Sequence, residues 1–172
     1  GGKPYWDQYD GKRNAVNLGF GWDRTEHVLW RLQHGEIDGI SPKVAVILIG
    51  VNNLGANHSV HDTVTGIKAV IANVRHDVPR TKILLLGIFP WQENPTSPQR
   101  VRVNAVNEQL AKLDGRDKVT YLNFGERFLR LDGTMSRLVM PDFLHPNRHG
   151  YKMWAEEMEP TLSKLMGDSP IQ

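Results

Sequence analysis

Lys43–Asn53 reads K-V-A-V-I-L-I-G-V-N-N. Lys43–Gly50 is rich in Val and Ile and apolar almost throughout, which is the composition of a strand covered on both faces. Thr81–Phe89 (T-K-I-L-L-L-G-I-F) repeats the pattern, and Lys118–Asn123 is a shorter version. Between the first two runs, Ser59 opens a helix with Asp62 three residues on as its capping partner. Val60, Val64, Ile67, Val70, Ile71, Val74 and Val78 form the buried stripe of that helix. After Thr81–Phe89 comes the proline-rich loop Pro90–Pro98. Ser97-Pro98 is an N-cap and first-turn pair for a helix that buries Val103, Val106, Leu110 and Leu113. Phe124–Arg130 reads as a helical turn, and Arg148–Met166 as a terminal helix with Trp154, Met158, Leu162 and Leu165 inward. Toward the amino end, residues 1–12 read as a loop and Asn14–Leu18 as a short strand. Gly19–Asp23 is a glycine-rich turn, and Arg24–Gln33 a helix on Val28, Leu29 and Leu32. Strands alternating with helices predict an α/β domain, a parallel sheet with helices on both faces.

The chain of 172 residues is read as one domain, residues 1–172, with 167–172 as a frayed tail. A formal charge of +2 and no long basic run exclude a nucleic-acid binder of the electrostatic kind. There is no cysteine, so disulfide and thiolate chemistry are excluded. The longest apolar runs are far too short to span a bilayer, so a soluble domain is expected. No basic-then-apolar leader stands at the start, and the compartment is left open.

In such a sheet, ligands sit outside the carboxyl ends of the strands. Three features gather at that edge in sequence: Gly19–Asp23, Gly50-Val51-Asn52-Asn53, and Met140–Asn147 (M-P-D-F-L-H-P-N). In the last, Pro141 and Pro146 bracket Asp142 and His145 and keep them out of regular structure. A carboxylate and an imidazole three residues apart on a shaped loop suit a general base and the group that orients it.

Taken together, N17-L-G-F-G-W-D-R-T25, G50-V-N-N53 and D142-F-L-H145 resemble three of the four sequence blocks of the SGNH (GDSL) hydrolases. The likeness is closest to the α-subunit type of platelet-activating-factor acetylhydrolase and its bacterial relatives. H27-V-L-W-R-L32 and I83-L-L-L-G-I-F-P90 extend it from about Lys3 to Met166. The resemblance implies an acyl ester hydrolase with a three-layer α/β/α, flavodoxin-like sheet and no cofactor. It implies His145 as general base, Asp142 as its orienter, and Asn52 as a side-chain donor to the oxyanion. It also implies a small acyl ester, such as an acetyl ester, as substrate, and pairing between copies.

Two departures stand against the family pattern. Relatives read G-x-G-G-D where this chain has Gly19-Phe20-Gly21-Trp22-Asp23, so Trp22 replaces a glycine whose N–H serves the oxyanion. The tryptophan is expected to resist a left-handed backbone and to put its indole into the cleft. The second departure is the Gly-Asp-Ser block with the nucleophile and the central first strand, which is expected before Gly1. Without that strand a gap of two spacings, each about 4.8 Å, separates Asn14–Leu18 from Lys43–Gly50. The serine and strand are expected from a complementing segment, another chain, or a rearranged sheet. Gly167-Asp168-Ser169 spells the motif, but it follows a helix and precedes Pro170, so Ser169 is a doubtful nucleophile.

Other readings carry less. His58 and His61, or His145 and His149 with Asp142, have no convincing third metal ligand, and no metal site is expected. Trp30 and Trp154 read as core residues on helices, Trp22 and Trp91 as cleft-side binding residues. The alternative to an esterase is an inactive relative whose cleft binds, or whose open sheet edges assemble.

Overall fold

The computed structural model describes residues 1–171. Three strands, β1 (Val44–Ile47), β2 (Lys82–Leu86) and β3 (Val119–Leu122), form a parallel sheet in the order β1-β2-β3. Val46 stands opposite Leu84, and Leu84 opposite Thr120, which fixes the register across the three. The helices are α1 (Lys3–Tyr5), α2 (Thr25–Gln33), α3 (Val51–Gly55), α4 (Val60–Asp77), α5 (Pro98–Ala111) and α6 (Arg148–Met166).

β2 shows why this is a three-layer α/β/α fold. Strand side chains alternate between faces, and both sets on β2 are apolar and buried. Ile83 and Leu85 join Leu32, Ile67, Val70, Val103, Val106 and Leu110 in one core, beneath α2, α4 and α5. Leu84 and Leu86 join Phe89, Phe128, Met140, Met158 and Leu162 in a second core, beneath α6. Serine caps begin α4 and α5 as expected: Ser59 Oγ accepts from Asp62 N–H and Ser97 Oγ from Arg100 N–H. Asn147 does the same for α6, accepting from Gly150 N–H.

The carboxyl edge is where the chain turns sharply. Gly50 follows β1 with φ 121 and starts α3. A Cβ there would come within 3.0 Å of Ile67 and Ile88, so both conformation and space demand glycine.

Four expectations need correction. Residues 1–12 are not a loop: α1 runs into a π-helical turn, Trp6–Asp10, and a 3₁₀ turn, Gly11–Arg13. Tyr9 is buried, and Arg13 Nη1 and Nη2 pair with Glu159 on α6, each at 2.7 Å. Asn14–Leu18 is not a strand, and Val16–Leu18 makes no backbone–backbone hydrogen bond. An apolar run needs a hydrogen-bonded neighbour to become a strand, and this one has none. Residues 167–171 are not frayed: Asp168 binds Arg13 at 2.9 Å, and Ile171 N–H donates to Glu159 at 2.7 Å. Trp30 is not a core residue. It lies off the Val28–Leu29–Leu32 stripe, is 60% exposed, and stacks on His34.

Candidate active site

The His145 loop is assembled from its own backbone upward. Val139 and Met140 are buried and anchor it in the second core. Asn147 clamps its far end, with N–H to Val139 O at 2.9 Å and Nδ2 to Leu138 O at 2.9 Å. Between the clamps, Phe143 takes a left-handed φ of 59, a conformation that holds only where contacts impose it. Its N–H donates to Met140 O, its carbonyl accepts from Gln92 N–H at 2.9 Å, and its ring lies under the Arg137 guanidinium.

This shape folds Asp142 and His145 onto each other. One carboxylate oxygen of Asp142 accepts from the N–H groups of Leu144 (3.1 Å) and His145 (2.8 Å). The other meets His145 Nδ1 at 2.6 Å. The hydrogen bond from the His145 ring, followed by those backbone donors, pulls the Asp142 carboxyl down to about 2. A carboxylate on Nδ1 fixes the tautomer and leaves Nε2 as the nitrogen that faces a reaction partner. Both side chains are open to solvent, His145 at 73% and Asp142 at 56%.

α3 brings Asn52 to the same edge of the sheet, one residue into the helix that follows β1. Asn52 Nδ2 donates to the Asp23 carbonyl at 3.0 Å. That bond uses one amide hydrogen and leaves the second for a ligand. The Gly19–Asp23 turn is itself pinned by Arg31, which pairs with the Asp23 carboxylate and with Glu36 and covers the Phe20 ring.

Trp22 adopts φ 68, the left-handed backbone that glycine takes freely. Trp22 is 86% exposed, while Asp23 next to it is buried. Gly21 beside it is exposed, with nothing within 4 Å of where a Cβ would stand. Trp91 is half-buried, packs against the first core, and lies over Gly55 at the end of α3.

With this geometry in place, the chain can be set beside known proteins. Residues 4–153 match the GDSL-like lipase/acylhydrolase family. The human platelet-activating factor acetylhydrolase IB subunit alpha1 is 35% identical over 168 residues, covering 97% of this chain and 71% of that protein. This chain belongs to the GDSL-like family. The chicken platelet-activating factor acetylhydrolase IB subunit alpha2 is 33% identical, over 96% of this chain and 71% of that one. A GDSL-like lipase structure from Bacteroides thetaiotaomicron VPI-5482 superposes with a TM-score of 0.79 at 15% identity. That match covers 95% of this chain and 83% of that one, and at this identity it speaks for the fold alone.

Ser169 lies far from the His145 loop of this GDSL-like domain. α6 has 19 residues and is about 28 Å long at ~1.5 Å per residue, with His145 before its start and Ser169 after its end. Lys82, at the start of β2, reaches Leu165 O, so Ser169 sits toward the amino ends of the strands. His58 belongs to a structural network, its Nδ1 3.2 Å from the Asn53 amide. Among the described residues no three His, Cys, Asp or Glu side chains gather as a metal site would require.

Two residues escaped sequence reasoning. Asn53 is 1% exposed, accepts from Thr25 N–H at 3.0 Å and donates to the Thr25 hydroxyl at 3.0 Å. It ties the start of α2 to α3, and the Asn-Asn doublet was its only signal. Arg100 is 2% exposed on α5 beneath the Pro90–Pro98 loop. A buried arginine has no signature that separates it from a surface one in sequence.

Proposed function

We propose that this chain is the greater part of an acyl ester hydrolase acting on small acyl esters, acetyl esters first among them. His145 takes the proton of a serine nucleophile and returns it to the leaving alcohol. Asp142 holds the ring in the tautomer that presents Nε2. The free amide hydrogen of Asn52 and the Trp22 N–H stabilise the oxyanion of the tetrahedral intermediate. The 2.6 Å contact between Asp142 and His145 on a loop clamped at both ends carries this reading. Membership of the GDSL-like family and the acetylhydrolase names of its relatives support the reaction class.

The nucleophile, in this reading, arrives on a Gly-Asp-Ser segment that pairs as a parallel strand along the free side of β1. β1 pairs only with β2 among the described residues, and Val46 on it is 42% exposed. Such a segment would end at the carboxyl edge, beside Asn52 and His145, and would cover the exposed dyad. The exposed Val16, Phe20 and Val46 favour a second reading, an inactive domain that assembles through this edge or pairs with another copy of itself.

Hydrolysis of p-nitrophenyl acetate, by the chain together with a Gly-Asp-Ser strand segment, separates the two. The esterase reading expects turnover that His145→Ala removes by at least ~10³-fold. Strand binding with no turnover, unchanged by His145→Ala, overturns it in favour of the assembly module.

A further inference from the structure

Arg100 is the one buried arginine of the described residues that has no carboxylate partner in the structure. Its guanidinium donates only to backbone carbonyls. Nε reaches Trp91 O at 3.1 Å, Nη1 reaches Gly133 O at 3.1 Å, and Nη2 reaches Gln92 O. Burying a cation without an anion is expensive, and burial pulls the guanidinium below its ordinary range. Something in the fold has to gain from it.

The gain is visible in the peptide between Trp91 and Gln92. Its carbonyl accepts from Arg100 Nε, and its N–H donates to the Phe143 carbonyl at 2.9 Å. Charge on the oxygen end of a peptide group polarises the N–H at the other end and strengthens the bond that it donates. Phe143 is the left-handed residue of the loop, two positions before His145. Gln92 is left-handed as well, with φ 71, and Arg100 holds its carbonyl. On the far side, Glu93 O accepts from Met135 N–H, and Gly133 O is the third carbonyl held by Arg100. A single planar fork therefore fixes the strained Trp91–Gln92 loop, the Gly133 turn and, through one peptide, the His145 loop. The same loop carries Trp91, whose ring lies over the end of the helix that bears Asn52.

We infer that Arg100 is a positioning residue for the candidate active site, holding the His145 loop in register with α3 through the Trp91–Gln92 peptide. The inference rests on the esterase reading for its kinetic consequence, but not for its structural one. Lysine cannot reproduce the fork, because its three N–H groups radiate from a single nitrogen, whereas the three carbonyls are held by three separate guanidinium nitrogens.

The test compares Arg100→Met and Arg100→Lys with the unchanged chain. In each, the Asp142 carboxyl is titrated by ¹³C NMR, and p-nitrophenyl acetate turnover is measured with the Gly-Asp-Ser segment present. In the unchanged chain the hydrogen bond from the His145 ring holds the Asp142 carboxyl well below the ordinary carboxylate range. In Arg100→Met the inference expects the Asp142 midpoint to move up toward the ordinary range as His145 loosens from it. It expects kcat to fall by ~10- to 100-fold with KM within about twofold, the scale of a misplacement of about 1 Å. Arg100→Lys falls between. Should Arg100→Met fail to fold, Arg100→Lys carries both readouts alone. An unmoved Asp142 midpoint in a folded variant overturns the inference, whatever the kinetics show. If the unchanged chain has no turnover, the esterase reading fails, and the Asp142 titration still decides the role of Arg100.

Discussion

At the scale of the residue, Asp142 accounts for most of what the His145 loop does. It is acceptor to two backbone N–H groups and to the imidazole at once, so it shapes the turn and orients the ring with the same carboxylate. Its folded pKa of about 2 lies below the unfolded value, which is about 3.9. The link therefore stabilises the loop fully above about pH 4 and is lost as pH falls from there toward about 2. His145→Ala removes the largest cause of the depression, so the Asp142 midpoint should rise toward the ordinary carboxyl range by ¹³C NMR; a midpoint that stays put contradicts the arrangement. Trp22 makes a separate prediction. A non-glycine residue in the left-handed region costs about 1–2 kcal/mol, and the indole, 86% exposed, recovers little of it by packing. Trp22→Gly should raise stability by ~1 kcal/mol, or about 2–4 °C in Tm for a domain of this size. It keeps the backbone N–H that the proposed oxyanion site uses. A lower Tm would mean that the indole makes contacts the structure does not show.

At the scale of the element, the amino-terminal helical segment is the part most dependent on one interaction. Arg13 and Glu159 have side chains only 6% and 5% exposed, and the bidentate pair holds Gly11–Arg13 against α6. Removing one partner of a buried pair leaves the other uncompensated. Arg13→Ala should therefore destabilise by ~3–5 kcal/mol in urea unfolding, and a loss under ~1 kcal/mol would show that the segment is held otherwise. Packing of α2 on α4 is equally specific. A Cβ at Gly66 would stand 2.2 Å from the Thr25 hydroxyl, the same group that Asn53 binds. Gly66→Ala should push α2 outward, lower Tm, and disturb Asn53 before it disturbs the sheet. This scale also shows how much the sequence could tell. α4 and α5 were legible because a capping side chain and an apolar stripe mark each one, and α6 because of its apolar stripe. Lys3–Arg13 was not, because Tyr9 is its only buried apolar side chain and Gly and Pro surround it. Asn14–Leu18 was misread because an apolar run looks the same with or without a strand beside it. At the site, the Asp–His loop stood out by residue type and spacing, and Asn52 through the family resemblance. Arg100 and Asn53 did not, because their importance lies in burial, which comes only from the folded chain.

At the scale of the molecule, the two cores divide the labour. One, under α2, α4 and α5, fixes the sheet to the helix that bears Asn52; the other, under α6, anchors the loop that bears His145. β2 joins them, with buried side chains on both faces, so the two halves of the candidate site are set relative to each other by one strand. β1 lies at the margin of the three-stranded sheet, next to that site. No helix among the described residues is long and apolar enough to cross a membrane. In the proposed esterase, this scaffold completes its chemistry with a serine delivered along β1. The most direct test treats the native protein with a fluorophosphonate, measures intact mass, and maps the adduct by peptide sequencing. The expected result is one adduct, on the serine of a Gly-Asp-Ser segment outside residues 1–172, abolished by His145→Ala. An adduct on Ser169, or none at all on a protein that binds such a segment, would contradict it.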